Sequence, residues 1–351
     1  MIKRRRTDNF LVGNIGFGSD YPITIQTMLD IKTSDETNCI KKINEVISCG
    51  CDLVRLAVHT KEDIGHFKNI QSQVNTPLIA DVHYSYEIAC GVVKAGAKKI
   101  RINPGNMTDY SQIKNLSEYL NEYDVAVRVG TNCGSLHPKY QSMGNVKGLV
   151  YSALEYEKIL RSNGVKKIVM GIKSSDPIET IDANILLANK TKAPIHIGVT
   201  ESGTLRNGLI KSSYALSTLL ANGIGDTIRV SLTDDLKEEI LAAKEILRML
   251  KIREQNVDVV SCPTCSRTQI NVKELTEKVQ EIVRNVDKKM RIAVLGCPLN
   301  GIGEGKNSDL GIAGGKEKSI ILVNGEKYVT VENEQLLSTF EKILKEKIDN
   351  D

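Results

Sequence analysis

The arrangement of the chain is constrained most by a repeat: short apolar runs alternate eight times with stretches of helical spacing between residues 22 and 250. The eight runs are Pro22–Thr27, Leu53–Val58, Pro77–His83, Lys98–Asn103, Val125–Gly130, Lys167–Lys173, Pro194–Thr200 and Thr227–Thr233. Helical stretches such as Asp35–Cys49 and Asp235–Leu250 carry apolar residues on one face. This alternation predicts a parallel α/β structure, and eight units close into a (β/α)8 barrel of the TIM type. The competing doubly wound sheet would place a Gly-x-Gly-x-x-Gly turn after the first strand, and the sequence has none there.

A second domain follows a predicted linker at residues 251–256. Its predicted elements are the strands Val257–Val260 and Arg291–Leu295, the helix Val272–Val286, the hairpin strands Ser319–Val323 and Lys327–Val329, and the closing helix Glu332–Ile348. We therefore expect residues 1–253 to form the barrel and residues 254–351 to form a small α+β domain.

Composition restricts the function classes. Hydrophobic residues make up 41% of the chain and charged residues 26%, and no unbroken apolar run reaches the roughly 18 residues of a membrane span. The basic segment Met1–Arg6 is not followed by the apolar stretch of a secretory signal, so a cytoplasmic location is expected. The net charge of +4, the absence of Trp and the four Phe do not favour a nucleic-acid partner.

Basic residues lie within or at the ends of five different predicted strands, where a barrel interior usually holds Val, Ile or Leu. They are Arg55, Arg101, Arg128, Lys173 and Arg229. The carboxyl ends of the strands form the mouth of a TIM barrel, where catalysis takes place. Because like charges repel and are costly to desolvate, five cations there predict a phosphate or diphosphate ligand. The alternative is that single arginines pair with Asp81, Glu201 or Asp226.

Further polar residues follow the predicted strands and could bind hydroxyls and phosphate oxygens. They are Gln26, Asp81, His83, Asn103, Asn106, Asn132, Ser135 and Ser231. Ser231 ends the eighth strand, a common phosphate site in such barrels. Glu201, beside glycines after the seventh strand, is the candidate general acid or base, with a plain surface carboxylate as the alternative. We expect Cys133 to be a passive wall residue.

Three cysteines without a later histidine mark the second domain: Cys262, Cys265 and Cys297. A closed zinc site needs four Cys or His ligands, so this set favours a 4Fe-4S cluster whose fourth ligand is an oxygen or is missing. The glycine-rich run Asn300–Gly315 is predicted to be a loop around the cluster, with Glu304 as one option for the fourth ligand. A solvated Glu304, or a phosphate-binding loop, is the alternative.

The sequence resembles the bacterial 4-hydroxy-3-methylbut-2-enyl diphosphate synthases of the methylerythritol phosphate route to isoprenoids, over nearly the whole chain. The motifs that carry the resemblance are Ala80-Asp-Val-His83, Arg101-Ile-Asn-Pro-Gly-Asn106, Gly198-Val-Thr-Glu201, the segment Gly223–Ser231, Cys262-Pro-Thr-Cys265-Ser-Arg267 and Asn300-Gly-x-Gly-Glu304.

The resemblance implies a two-electron reductive dehydroxylation of 2-C-methyl-D-erythritol 2,4-cyclodiphosphate, with electrons from flavodoxin or ferredoxin passing through the cluster. It implies Cys262, Cys265, Cys297 and Glu304 as cluster ligands, and Glu201 close to the reacting carbons. It also implies a head-to-tail homodimer. Ile302 stands where the family usually has Pro, which predicts a looser loop.

Two rival interpretations stay open at this point. A pterin-type barrel resembling dihydropteroate synthase would also bind a diphosphate, but it would not need the three cysteines. A zinc-ribbon binding module on an inactive barrel would use Cys262 and Cys265, but the sequence lacks its second Cys pair.

Overall fold

The computed structural model describes residues 2–253, 257–284, 286 and 288–350. The chain divides into two units, Met1–Arg253 and Glu254–Asp351. The last part of the predicted linker, residues 254–256, and position 285 of the predicted helix Val272–Val286 lie outside the described residues.

The first unit begins with a hairpin and continues as a ring of parallel strands and helices. The hairpin strands are β1 (Phe10–Val12) and β2 (Ile15–Phe17). The parallel strands are β3 (Thr24–Met28), β4 (Leu53–Ala57), β5 (Leu78–Asp81), β6 (Lys99–Ile102), β7 (Ala126–Asn132), β8 (Ile168–Lys173), β9 (His196–Ile197) and β10 (Thr227–Ile228). The helices are α1 (Glu36–Ser48), α2 (Lys61–Gln73), α3 (Tyr86–Lys94), α4 (Ser111–Glu122), α5 (Pro138–Gln141), α6 (Asn145–Ser162), α7 (Pro177–Ala188), α8 (Leu205–Ala221) and α9 (Leu236–Met249).

The strands follow one another around a barrel. Their order is β8, β7, β6, β5, β4, β3, β10, β9, with every neighbouring pair parallel. A bridge between Met170 and Ile195, which precedes β9, joins the two ends of this order. The predicted TIM-type barrel is confirmed, and it directs the ends of β4 to β8 and β10 toward one mouth.

Local signals set where the outer helices begin. Asp35 accepts a hydrogen bond from the Asn38 N–H at the start of α1, and Asp176 precedes Pro177 at the start of α7. Thr60 and Asp63 form a capping box on α2. None of the helices in the described ranges combines the length and the apolar character needed to cross a membrane.

The β1–β2 hairpin, which the sequence patterns did not predict, closes the end of the barrel opposite the mouth. Val12 and Phe17 pack there against the lowest interior residues of the strands, which are Leu53, Ile79, Ala126 and Val169. The Lys99 ammonium lies 4.4 Å from the centre of the Phe17 ring, on the inner side of this apolar layer. Arg4 and Arg5 donate hydrogen bonds to backbone carbonyls of the neighbouring segments, so these two arginines are part of the barrel's base.

Among its described residues, the second unit contains a five-stranded mixed sheet and three α-helices. Its strands are β11 (Val257–Ser261), β12 (Met290–Leu295), β13 (Leu310–Ala313), β14 (Lys318–Val323) and β15 (Glu326–Glu332), and its helices are α10 (Val272–Val283), α11 (Pro298–Gly305) and α12 (Leu336–Asn350). β11, β12 and β13 are parallel, and β14 and β15 add an antiparallel hairpin. Apolar residues of α10 and α12 form one core with β12, β13 and β14.

The glycine-rich run Asn300–Gly315 is not the loop that the sequence predicted. Its first half belongs to α11 and its second half contains β13. A side chain at Gly301 would collide with Cβ of Ala313 on β13, and one at Gly305 would collide with Leu322 on β14. These two glycines, one helical turn apart, therefore let α11 lie close against the sheet.

Candidate functional site

The barrel mouth holds a cavity of about 470 Å³, within the range of small-molecule sites. Its lining residues are Met28, Arg55, Asp81, His83, Tyr84, Arg101, Asn103, Asn106, Arg128, Thr131, Asn132, Gly134, Ser135, Lys173, Thr200, Arg229 and Ser231. The structure thus brings together twelve of the thirteen charged and polar residues predicted at the mouth. Gln26 lies elsewhere, buried and bonded to the Thr227 hydroxyl.

Asp81, at the end of β5, anchors two of the arginines. Its carboxylate lies 3.1 Å from Arg101 Nη1 and 3.4 Å from Arg55 Nε, and His83 Nε2 is 3.6 Å away. Burial alone would raise the pKa of Asp81, but Arg55, His83 and Arg101 outweigh it and hold that pKa well below its usual range. Asp81 is therefore a fixed negative charge that orients both guanidinium groups.

Glu239 on α9 is a site residue that the sequence analysis missed. It is 2% exposed, and Oε1 lies 3.4 Å from Arg229 Nη2 and accepts a hydrogen bond from the Leu232 N–H at 2.9 Å. The Thr27 hydroxyl donates to Oε2 at 2.8 Å. Glu239 lies on the apolar face of α9, and a glutamate at such a position was the signal that could have revealed it.

The alternative that single arginines pair with Asp81, Glu201 or Asp226 is confirmed at Asp81, which pairs with Arg55 and Arg101, whereas Arg229 pairs with Glu239. Asp226 pairs instead with Arg4 at 2.9 Å and accepts from the Ile195 N–H at 2.8 Å, at the opposite end of the strands. Glu201 is exposed.

Arg128 and Lys173 lie between these two carboxylate anchors without an ion pair of their own among the described residues. Arg128 is 4% exposed and its buried Nε has no hydrogen-bond partner there. Burial, followed by the neighbouring arginines, lowers the pKa of Arg128 well below its usual range. For Lys173, burial and then Arg128, Arg229 and Arg55 lower the pKa in the same way. The cavity therefore carries more positive than negative charge, and an anion with several oxygens would relieve that excess.

Three interior glycines make room for these cations, and the sequence analysis did not use them. A Cβ at Gly130 would lie 2.9 Å from Arg101 Nε, and one at Gly171 would lie 2.7 Å from Arg128 Nε. A Cβ at Gly198 would lie 2.6 Å from Lys173 Nζ. Glycine at barrel-facing positions close to a charged residue is a pattern that a sequence could reveal.

Hydrogen bonds also join the polar residues on the other side of the mouth. The Asn103 amide donates to Ser135 Oγ at 2.7 Å, and Ser135 Oγ donates to Asn132 Oδ1. The Gly105 N–H donates to Asn103 Oδ1 at 3.1 Å. These bonds fix the loops after β6 and β7 beside the cations.

Glu201 follows Thr200, which lines the cavity, but Glu201 itself does not line it. Its backbone has φ of +50°, a left-handed conformation that is uncommon for a residue with a side chain. Ser202 and Gly203 brace this turn, because Ser202 Oγ donates to the Ser231 carbonyl and Gly203 O accepts from the Thr233 N–H at 3.0 Å. The turn therefore holds Glu201 at the rim at a defined place.

In the second unit, two of the three cysteines follow neighbouring parallel strands. Cys262 follows β11 and Cys297 follows β12, and the Gly296 N–H donates to Cys262 Sγ at 3.2 Å. Cys265 lies in the loop after β11, which is fixed because the Gln269 N–H donates to the Gly296 carbonyl at 2.8 Å. The pKa of the exposed Cys265 thiol is lowered, first by a backbone hydrogen bond from Arg267.

Glu304 lies on α11, for which Cys297 is the N-terminal cap. Glu304 is seven positions after Cys297, so the two emerge on about the same side of α11, roughly 10 Å apart along its axis. Within the described ranges, no group of three or more His, Cys, Asp or Glu side chains is close enough to hold a metal ion. The donor set of three thiols and a carboxylate fits an iron-sulfur cluster in its chemistry, and the cysteines share one end of the β11–β12 pair.

Fold and site together define a TIM-barrel protein with a cation-lined mouth, joined to an α+β domain that carries a cysteine set. Residues 7–244 match the family model described as GcpE TIM-barrel domain, and residues 258–346 match the one described as GcpE protein C-terminal domain. The chain belongs to this GcpE family.

Curated relatives match over almost the full length. A 4-hydroxy-3-methylbut-2-en-1-yl diphosphate synthase (flavodoxin) of Caldanaerobacter subterraneus subsp. tengcongensis is 40% identical over 99% of this chain and 98% of its own. Proteins of the same name from Thermotoga maritima and Clostridium perfringens are 40% and 39% identical, over 95% and 98% of this chain and 96% and 99% of theirs.

Solved structures resemble the barrel in fold alone. Dihydropteroate synthase from Yersinia pestis has a TM-score of 0.52 at 11% identity, covering 69% of this chain and 98% of its own. A truncated 3-deoxy-D-arabino-heptulosonate 7-phosphate synthase from Thermotoga maritima has a TM-score of 0.51 at 13% identity, covering 70% of this chain and 91% of its own. At such low sequence identities these structures show a shared fold and do not support a pterin-type function. The match to the GcpE family models does not favour that alternative either.

Proposed function

We propose that this protein is an oxidoreductase that converts 2-C-methyl-D-erythritol 2,4-cyclodiphosphate to 4-hydroxy-3-methylbut-2-enyl diphosphate by reductive ring opening and dehydroxylation. The observation that carries the proposal is the excess of buried cations around a cavity, in a chain 40% identical over its length to synthases of this name. A cyclic diphosphate supplies the negative charge that this cavity lacks.

The five cations bind the diphosphate in this proposal. Arg55 and Arg101 are oriented by Asp81, and Arg229 by Glu239. Arg128 and Lys173, which lack carboxylate partners among the described residues, are the groups that gain most from the phosphate oxygens. Preorganised guanidinium groups bind phosphate in a fixed, often two-pronged geometry.

The polar residues of the mouth orient the carbon skeleton. Asn103, Asn132 and Ser231 donate to or accept from hydroxyls and phosphate oxygens, and His83 donates beside Asp81. Glu201 is the group proposed to move a proton, because it lies at the rim directly after Thr200 and the backbone holds it in a defined turn. Positioning by several fixed contacts reduces the entropy lost in reaching the transition state.

Cys262, Cys265 and Cys297, with Glu304, are proposed to hold a 4Fe-4S cluster. When bound, such a cluster supplies electrons one at a time. The Gly296 N–H donates to Cys262 Sγ, and backbone hydrogen bonds lower the pKa of the Cys265 thiol, which favours the thiolate that iron requires. Flavodoxin is the proposed electron donor, as in the names of the relatives, with ferredoxin as the other candidate. We also propose a cytoplasmic homodimer.

The test is anaerobic purification followed by quantification of iron and acid-labile sulfide, and then by calorimetric titration with the cyclodiphosphate. About four irons per chain, lost in Cys297→Ser, together with tight cyclodiphosphate binding, would support the proposal. Zinc in place of iron, or a barrel that binds a pterin diphosphate and not the cyclodiphosphate, would refute it.

A further inference from the structure

Glu155, a half-buried residue of α6, does not line the mouth cavity, but it is hydrogen-bonded to two loops that do. Its Oε2 accepts a hydrogen bond from the Tyr110 hydroxyl at 3.0 Å and another from the Tyr140 hydroxyl. Tyr110 ends the loop after β6, residues 103–110, and Tyr140 lies in the loop after β7, residues 133–144, which includes α5. One carboxylate therefore ties both loops to the same helix.

These two loops carry most of the uncharged polar side chains of the mouth. Asn103 and Asn106 belong to the loop after β6, Ser135 belongs to the loop after β7, and Asn132 directly precedes that loop. The loops are in contact, because a Cβ at Gly105 would collide with the Ser135 carbonyl oxygen. The Asn103 amide also donates to Ser135 Oγ at 2.7 Å. The place of the polar groups therefore depends on how both loops are held.

The loop after β6 has a second support that is independent of Glu155. The hydroxyl oxygens of Tyr86 and Tyr156 lie 3.1 Å and 2.9 Å from the carbonyl oxygen of Met107 in that loop. Tyr156 is fully buried and directly follows Glu155 on α6. This loop should therefore keep most of its position when the bond between Tyr110 and Glu155 is removed.

The loop after β7 depends more strongly on Glu155. Within the part of the chain that the structure describes, its side chains reach α6 by hydrogen bonds from Tyr140 and Lys139, and both bonds go to Glu155. Lys139 is exposed, and an exposed ion pair of this kind contributes little. Tyr140 is buried, so its bond to the carboxylate is the stronger of the two.

We propose that Glu155 is a positioning residue that makes the mouth selective for a hydroxyl-bearing cyclic diphosphate over inorganic diphosphate. This rests on the proposed function, in which the cations bind the diphosphate and polar side chains orient the carbon skeleton. The cations lie on the barrel, as Arg128 within β7 and Lys173 at the end of β8 do, so they stay in place when a loop moves. Asn132 and Ser135 do not, and groups fixed before binding cost less entropy to order.

The experiment measures the Kd of the cyclodiphosphate and of inorganic diphosphate by calorimetric titration of the full-length wild type, Glu155→Ala and Tyr140→Phe. Alanine maintains the helix, and phenylalanine removes one hydroxyl, so both variants should fold, which circular dichroism checks. We expect both variants to bind the cyclodiphosphate at least about fivefold more weakly, because two polar side chains must then be ordered on binding. The Kd of inorganic diphosphate should stay at the wild-type value.

Two further tyrosine variants test the assignment of the loops. Tyr151→Phe is the matched control, because Tyr151 lies on α6 with its ring near Lys190 rather than at the mouth, and it should bind like the wild type. Tyr110→Phe should lose less affinity than Tyr140→Phe, since the Met107 carbonyl supports the loop after β6. A larger loss in Tyr110→Phe would overturn the dependence of the loop after β7 on Glu155.

Hydrogen exchange gives a second measurement that does not depend on a ligand. The amides of residues 133–144 should exchange faster in Glu155→Ala and Tyr140→Phe than in Tyr151→Phe. Equal weakening of both ligands, or a wild-type Kd for the cyclodiphosphate in both variants, would refute the positioning role while the proposed function stands. A wild type that binds inorganic diphosphate but not the cyclodiphosphate would refute the proposed function and this inference with it.

Discussion

Replacing Gly171 by alanine tests whether the mouth depends on space made by glycine. Gly171 lies on β8 opposite Gly130 of β7. A Cβ at this position would lie 2.7 Å from Arg128 Nε and 3.0 Å from its Nη2, whereas ordinary contacts begin at 3.4 Å. The Arg128 guanidinium must therefore move. The backbone φ of Gly171 is not in the left-handed region, so the backbone at this position tolerates alanine.

The expected loss follows from what Arg128 contributes. A hydrogen bond to a charged group is worth about 1.5–3 kcal/mol, and losing one from Arg128 to a phosphate oxygen raises the Kd about 10- to 150-fold. Overpacking costs the fold about 1–3 kcal/mol, and replacing a flexible glycine returns about 0.4–1 kcal/mol. The barrel of Gly171→Ala should therefore remain folded.

The assay is calorimetric titration of the cyclodiphosphate into wild type, Gly171→Ala and Gly134→Ala. Gly134 is the matched control, because it lines the same cavity and a Cβ there would meet nothing within 4 Å. We expect weaker binding for Gly171→Ala alone. A wild-type Kd for a folded Gly171→Ala, or an equal loss in both variants, would refute the steric argument about Arg128.

Three further outcomes can be checked by denaturation. Glu239→Gln removes the buried carboxylate that pairs with Arg229, so the free energy of unfolding in urea should fall by about 3 kcal/mol, and an unchanged midpoint would contradict this. The pKa of Asp81 is lowered because the neighbouring cations outweigh its burial, so its contribution exists above the unfolded-state pKa of about 4 and disappears only as pH falls further. The difference in Tm between wild type and Asp81→Asn should therefore persist at pH 5, and its disappearance there would be the opposite result. Gly301→Ala should destabilise the second unit by about 1–3 kcal/mol, whereas Gly303→Ala, with open space, should not.

The repeat of apolar runs predicted the barrel because each run must be buried on both faces and each helix on one. It predicted strand ends less well: the run Pro194–Thr200 contains a strand of only two residues, His196–Ile197. A repeated apolar run shows that a strand exists, but the ends of the strand depend on which backbone groups form hydrogen bonds with the neighbouring strands. The hairpin at residues 10–17 was missed because its strands are only three residues long.

The cations of the mouth could be predicted because a charged residue is conspicuous in an apolar strand. Glu239 was missed because a glutamate on an amphipathic helix is usually solvated, and its position on the apolar face of α9 was the one signal of its burial. The glycine-rich run was interpreted wrongly for a similar reason. Glycine occurs both in loops and where two elements pack closely. The residues that Gly301 and Gly305 pack against, Ala313 and Leu322, lie farther along the chain, so the local sequence does not show which case applies.

The hairpin at the base of the barrel has a kinetic consequence. With Val12 and Phe17 packed into that end, the described residues leave the mouth as the route by which a ligand in the barrel reaches bulk solvent. Reactant and product therefore use the same route, and one must depart before the other can bind. Inhibition by the product should accordingly be competitive with respect to the cyclodiphosphate, so a sufficient excess of the cyclodiphosphate should restore the full rate.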